Sequence, residues 1–167
     1  KLVGMRARFH NAQFAAISFD EANHRIALLA LPFFKPDDET PEQRFAHAGF
    51  EHVAFEYDHL DQLLHNFLRL ERQGVLPYWT VNHGATMSFY YSDPDGNAVE
   101  LQVDCCEHSL ERWYEILSGP IFSKNFIGFV VDPRKIIEAR RRGVSEQEIL
   151  IDSYRDGGTP YSAAPPP

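Results

Sequence analysis

The chain has 167 residues, 44% of them hydrophobic and 13% aromatic, enough apolar matter for one packed domain or two small half-domains sharing a core. Sixteen basic residues against 24 acidic ones leave a net charge of −8, which argues against nucleic acid or an anionic membrane surface as a partner. No run approaches the roughly 18 apolar residues of a membrane span, and the only cysteines, Cys105 and Cys106, are adjacent and make a poor staple, so a reducing, cytoplasmic setting is the expectation.

In chain order, Lys1–Met5 reads as the end of a helix with Gly4 as its stop, and an upstream strand and helix are expected to precede it. Arg6–His10, Phe14–Phe19 and Arg25–Leu31 read as three short strands at hairpin spacing. Pro32 to Ala48, with three prolines and a charge cluster, reads as a loop crossing to a second half. That half opens with a strand at Glu51–Tyr57. From Leu60 to Gln73, Leu60, Leu63, Leu64, Phe67, Leu68 and Leu70 recur near helical spacing, and Gly74 closes the helix. Strands follow at Tyr78–Val81, Met87–Ser92 and Ala98–Asp104, separated by an Asn82-His83-Gly84 turn and an Asp93-Pro-Asp-Gly-Asn97 turn. The order is βαβββ. The first 31 residues give a helix tail and then βββ, the same order without its first two elements, which predicts two halves facing each other. Glu107–Leu117 and Pro133–Arg142 read as further helices. Phe126–Val131 is apolar and suited to lie across a neighbour, and residues 151–167 read as a disordered tail.

Two of the strands carry one metal-capable side chain each on an otherwise apolar pattern. Alternation puts Val53, Phe55 and Tyr57 on one face and His52 on the other; Val99, Leu101 and Val103 share a face, and Glu100 points the opposite way beside Gln102. An imidazole and a carboxylate converging across a sheet are two parts of a 2-His-1-carboxylate site. Each has a plainer reading: His52 as a structural strand residue, Glu100 as a buried carboxylate paired with Arg or Lys. His83, in the turn before the third strand of the half, suits acid/base work or merely caps the turn. In Met87–Ser92, Tyr90 shares its face with Ser88 and Ser92, whereas Met87, Phe89 and Tyr91 form the apolar side. Its phenol is a hydrogen-bond donor for a substrate oxygen or is tied to backbone. His24, His47, His59 and His65 have no spacing that marks them as ligands, and His10 would serve as one only if the register of its strand differed.

The run Phe50-Glu-His-Val-Ala-Phe55, followed by His83-Gly-Ala-Thr-Met-Ser-Phe-Tyr-Tyr-Ser-Asp-Pro-Asp-Gly-Asn-Ala-Val-Glu-Leu101, resembles the vicinal oxygen chelate superfamily. That superfamily includes glyoxalases, bleomycin-resistance proteins and type I extradiol dioxygenases, and the resemblance is nearest to small relatives of biphenyl-diol dioxygenases. It implies an α+β fold: paired βαβββ units forming an open cup-shaped mixed sheet, here with the first unit lacking its initial strand and helix, plus C-terminal helices. The domain so implied spans residues 1–110, with units at 1–31 and 50–104, then a helical extension over 111–150.

The same resemblance makes His52 and Glu100 metal ligands; the family's second histidine belongs on the first strand of the first unit, expected upstream, the alternative being that this ligand has been lost. Tyr90 stands ten positions before Glu100, where the family's dioxygenases carry a tyrosine. The activity implied is that of an oxidoreductase using Fe(II), or Mn(II) or another divalent metal, on a catechol-like small aromatic and O2, in a homo-oligomer. Two alternatives accompany it: a glyoxalase-type lyase or isomerase, and a metal-free small-molecule binding protein of the bleomycin-resistance kind. The family's glyoxalases generally need a further carboxylate on the last strand of the first unit, and Arg25–Leu31 has none.

Overall fold

Apolar alternation along short strands, and apolar residues three and four apart along one longer helix, set most of the architecture. The computed structural model describes residues 4–12, 14–21, 25–29, 52–155 and 160–162. The loop expected over residues 32–48 and the helix end at residues 1–3 lie outside the described residues. The chain divides into two units, Lys1–Gly49 and Phe50–Pro167.

The first unit is an antiparallel meander of β1 (Arg6–His10), β2 (Phe14–Ser18) and β3 (Ile26–Leu29), in that spatial order. Asn11 makes the first turn, its backbone N–H donating to Phe14 O at 2.9 Å and its Oδ1 accepting from Phe14 N at 2.8 Å. Across the second turn Arg25 Nη2 meets Asp20 Oδ2 at 2.7 Å.

The second unit holds β4 (His52–Tyr57), α1 (Leu60–Glu71), β5 (Trp79–Asn82), β6 (Thr86–Ser92) and β7 (Ala98–Asp104), the βαβββ order read from the sequence. Then come α2 (Leu110–Leu117), α3 (Pro120–Lys124), β8 (Phe129–Val130), α4 (Pro133–Arg141) and α5 (Glu146–Asp152). Its sheet has the order β4-β7-β6-β5-β8; β4 runs parallel to β7 and the other pairs are antiparallel, so the sheet is mixed and open. The chain is therefore α+β, as the sequence pattern implies.

One face of this sheet is apolar. Met87, Phe89 and Tyr91 on β6 and Val99, Leu101 and Val103 on β7 are buried, and α1 packs over β4 and β7 with Leu60, Leu63, Leu64, Phe67 and Leu70 buried. Phe67 meets Phe89 edge-on, with ring centroids 5.9 Å apart. At roughly 1.5–3 kcal/mol for each fully buried large side chain, this layer is the main apolar contribution of the unit. The opposite face carries His52, Glu100, Ser88 and Tyr90.

Three local differences from the sequence reading have physical causes. Glu107 and His108 adopt positive φ, 53° and 55°, so the chain reverses there; Ser109 then caps α2, its side chain accepting from Arg112 N, and the helix begins at Leu110. Phe129 and Val130, within the apolar stretch expected to lie across a neighbour, extend this chain's own sheet by pairing with Asn82 and Val81. Beyond residue 150, α5 runs on to Asp152. Tyr161 is buried, with its carbonyl accepting from Asp132 N at 2.6 Å, so these described residues of the tail are docked.

Candidate functional site

The register brings the site together. Parallel pairing sets Ala54 beside Glu100, so His52, two residues earlier on β4, is the same-face diagonal neighbour of Glu100. Antiparallel pairing sets Tyr90 beside Glu100, and Trp79 beside Tyr90. Residues directly opposite share a face, so one row across the sheet reads Trp79, Tyr90, Glu100, Ala54, with His52 at its corner.

His52 Nε2 lies 2.7 Å from Glu100 Oε2, and Tyr90 donates its phenol hydrogen to Glu100 Oε1 at 2.9 Å. Tyr90 Oη is in turn 3.1 Å from His83 Nε2, and His83 Nδ1 lies 2.6 Å from the Ile127 carbonyl oxygen. All four residues named from the sequence thus fall on one hydrogen-bonded line. Glu100 is 4% exposed and pairs with His52 and Tyr90 rather than with Arg or Lys. These partners offset the cost of taking a carboxylate out of water.

His83 sits where β5 turns into β6. Its backbone N–H donates to Thr86 O at 2.8 Å, and Gly84 N donates to Asn82 Oδ1 at 2.7 Å. The turn needs glycine at position 84: φ is +92°, and a Cβ there would stand 2.6 Å from the Tyr154 ring. Asn82 itself is buried and donates to Leu150 O at 2.9 Å and Ser153 Oγ at 2.7 Å, anchoring the turn to α5 and its C-cap.

Burial pushes the His83 imidazole below its usual range, against smaller opposing effects of the Ile127 carbonyl and the Glu100 charge, so the ring is neutral near pH 7. Burial raises the Tyr90 phenol strongly, and the Glu100 charge adds to this, so the phenol keeps its proton. His83 Nδ1 thus faces the Ile127 carbonyl, and Nε2 faces the Tyr90 phenol. The phenol donates to Glu100 Oε1 and stands within hydrogen-bond distance of the His83 ring as well.

The sequence reading missed Trp79. Its ring stacks on Tyr90 at 4.9 Å and 22°, and meets His83 edge-on at 5.4 Å. Its place opposite Tyr90 across a short turn was the available signal. Ile127 was missed as well, because a backbone carbonyl carries no mark in a sequence. Of the other histidines described, His10 is exposed on β1, His59 stands at the N-terminus of α1, and His65 lies on α1. His24 and His47 lie outside the described residues.

A cation fits the donor chemistry of His52 and Glu100: an imidazole nitrogen and a carboxylate oxygen already converge at 2.7 Å, with the second carboxylate oxygen held by Tyr90. Among the described residues, no group of three or more His, Cys, Asp or Glu residues is gathered as a complete set of ligands. These two side chains would fill part of such a set. A separate cavity of about 400 Å³, lined by His59, Cys105, Glu107, His108, Arg112 and Glu146 among others, shares no residue with this line. Its Glu146 accepts from Leu60 N at 2.8 Å and its Glu107 pairs with Arg112 at 2.7 Å, which ties both carboxylates to the scaffold.

The family described as the Glyoxalase/Bleomycin resistance protein/Dioxygenase superfamily matches residues 2–101 of this sequence. The chain belongs to this superfamily. As a superfamily member it is 34% identical over 153 residues to biphenyl-2,3-diol 1,2-dioxygenase 3 of Rhodococcus globerulus, a match spanning 92% of this chain and 78% of that protein. It is 35% identical over 144 residues to biphenyl-2,3-diol 1,2-dioxygenase 2 of the same organism, spanning 86% of this chain and 73% of that one. Among solved structures it matches a glyoxalase/bleomycin resistance protein/dioxygenase from Alicyclobacillus acidocaldarius with a TM-score of 0.45 and 12% identity, over 62% of this chain and 75% of the other.

Proposed function

We propose that this superfamily member is a metal-dependent oxidoreductase of the extradiol type, taking a catechol-like small aromatic and O2. His52 and Glu100 supply one imidazole and the carboxylate of a 2-His-1-carboxylate set for Fe(II), with Mn(II) as the other candidate. The observation that carries this reading is the 2.7 Å approach of His52 Nε2 to Glu100 Oε2 on one face of the sheet, on the same hydrogen-bonded line as Tyr90 and His83. The similarity to two biphenyl-2,3-diol 1,2-dioxygenases supports the substrate class.

When bound, the metal supplies Lewis acidity toward a diol and a template for the two reactants. The chain's own residues do the rest. Glu100 is held in one orientation by Tyr90. With substrate in place, the phenol of Tyr90, protonated at working pH, turns its single proton from Glu100 toward negative charge developing on a substrate oxygen. His83, neutral and with Nε2 bare, receives a proton from the diol and returns it later. Trp79 gives the site an aromatic wall, its ring held by Tyr90 and His83, against which an aromatic substrate packs.

The test is anaerobic reconstitution with Fe(II), then addition of 2,3-dihydroxybiphenyl and O2. The expected result is O2 uptake together with a yellow ring-fission product, and loss of both in His52→Ala and Glu100→Ala. Those variants should lose metal affinity by more than the roughly 10–100-fold that removing an outer partner costs. Absence of O2 uptake with Fe(II) and with Mn(II) across a panel of catechols would overturn the reading.

A further inference from the structure

We propose that the turn at residues 125–128 is a positioning element for His83: the Ile127 carbonyl takes the Nδ1 proton and leaves Nε2 bare toward Tyr90. The inference rests on the acid/base role given to His83 above. A carbonyl oxygen only accepts, so the 2.6 Å contact requires the proton on Nδ1. A neutral imidazole has a single N–H, and the Nε2 lone pair then faces Tyr90 Oη at 3.1 Å. The opposite tautomer would set a nitrogen lone pair against the carbonyl and present Nε2–H to the site, where the ring could no longer receive a proton.

The turn is built to hold that carbonyl in place. Asn125 Nδ2 donates to Gly128 O at 2.6 Å, and Asn125 Oδ1 accepts from Gly128 N at 3.1 Å, so one side chain braces both polar groups of Gly128. Gly128 has φ +100°, and a Cβ there would lie 2.2 Å from Asn82 O and 2.8 Å from His83 Cα. The backbone of the turn thus rests directly on the backbone of the residue it orients, an approach that a side chain at position 128 would block. β8 begins at the next residue, and the pairing of Phe129 with Asn82 holds the turn at the end of β5. Burial of side chains does not account for the placement: Phe126 is 68% exposed and Ile127 47%. Main-chain contacts hold the segment there, and the ring of His83 receives the carbonyl they present.

The experiment is nitrogen-15 NMR of the imidazole rings in the metal-free full chain near pH 8, where an ordinary imidazole is neutral. The His83 signals are assigned by their loss in His83→Gln. The expected result for the unmodified chain is the Nδ1–H tautomer. Gly128→Ala should displace the turn; Asn125→Ala removes the brace without adding a clash and serves if Gly128→Ala does not fold. In the folded variants the His83 signals should move to an averaged or Nε2–H pattern. In the iron-loaded enzyme kcat should fall about tenfold, a fraction of what a lost acid/base group costs, with KM changed less than about twofold. An Nε2–H ring in the unmodified chain, an unchanged tautomer in the variants, or a shifted tautomer with unchanged kcat would each overturn the proposal. Tautomers as expected in a chain that cleaves no catechol would instead remove the acid/base reading of His83 and leave the orientation of its ring by the turn standing.

Discussion

Tyr90 is the residue at which the site's hydrogen bonding branches, and it gives the sharpest single-atom prediction. Tyr90→Phe keeps the ring stacked on Trp79 but removes the donor to Glu100. Urea unfolding should show a loss of about 1–3 kcal/mol, the cost of a hydrogen bond to a buried charged group. If Tyr90 has the role proposed above, turnover should fall about a hundredfold with little change in KM, because the phenol would then act on charge that develops during reaction. His83 gives a pH prediction. Its folded pKa lies below that of the unfolded chain, since burial penalises the imidazolium. Above the ordinary value of about 6.5 both states are neutral and the contribution is complete. As pH falls through that value the unfolded chain takes up the proton first, and stability declines until the folded ring also protonates. Urea midpoints measured from pH 8 down to pH 5 should therefore drop more steeply for the natural chain than for His83→Gln; parallel slopes would contradict the assignment.

At the scale of elements, the strands and helix of the second unit were legible because their periodicities are clean. The alternation in Met87–Ser92 and Ala98–Asp104 predicts which side is apolar and packs under α1, and hence that Glu100 and Tyr90 share the other. Pairing partners were not legible. Nothing in Phe129–Val130 distinguishes a strand that completes its own sheet from one that reaches another chain, because two residues carry no period. α2 starts later than its apolar pattern suggests because two non-glycine residues take positive φ just before it, a backbone event the pattern does not encode. Asn82 is the strongest element-to-element link that sequence reading passed over. Its side chain joins β5 to α5 through two donated bonds and holds Gly84 through a third. Asn82→Ala should cost about 2–4 kcal/mol in urea unfolding, from several buried groups left unpaired. By contrast Asp61→Asn, which only weakens the half-exposed pair with Arg140, should cost less than about 1 kcal/mol.

At the scale of the whole molecule, the two units differ in how much of the candidate site they hold. All four residues named from the sequence stand in the second unit. If those residues grip a divalent cation, binding is linked to folding. At a free metal concentration one hundred times Kd the native state should gain about 2.7 kcal/mol, and Tm should rise by roughly 5–10 °C. The same titration on Glu100→Ala should leave Tm unmoved, and differential scanning fluorimetry with Mn(II) under air suffices to measure it. A rise of equal size in both proteins would assign the cation to some other place.

The ring of Tyr154 lies where a Cβ of Gly84 would be, and Ser153 beside it holds Asn82. The last helix and the residues that follow it are thus a keystone for the loop that bears His83, not trailing ballast. Trimming the chain ahead of position 150 would unseat that loop from a distance, and if the proposed function holds, the damage would register as lost turnover.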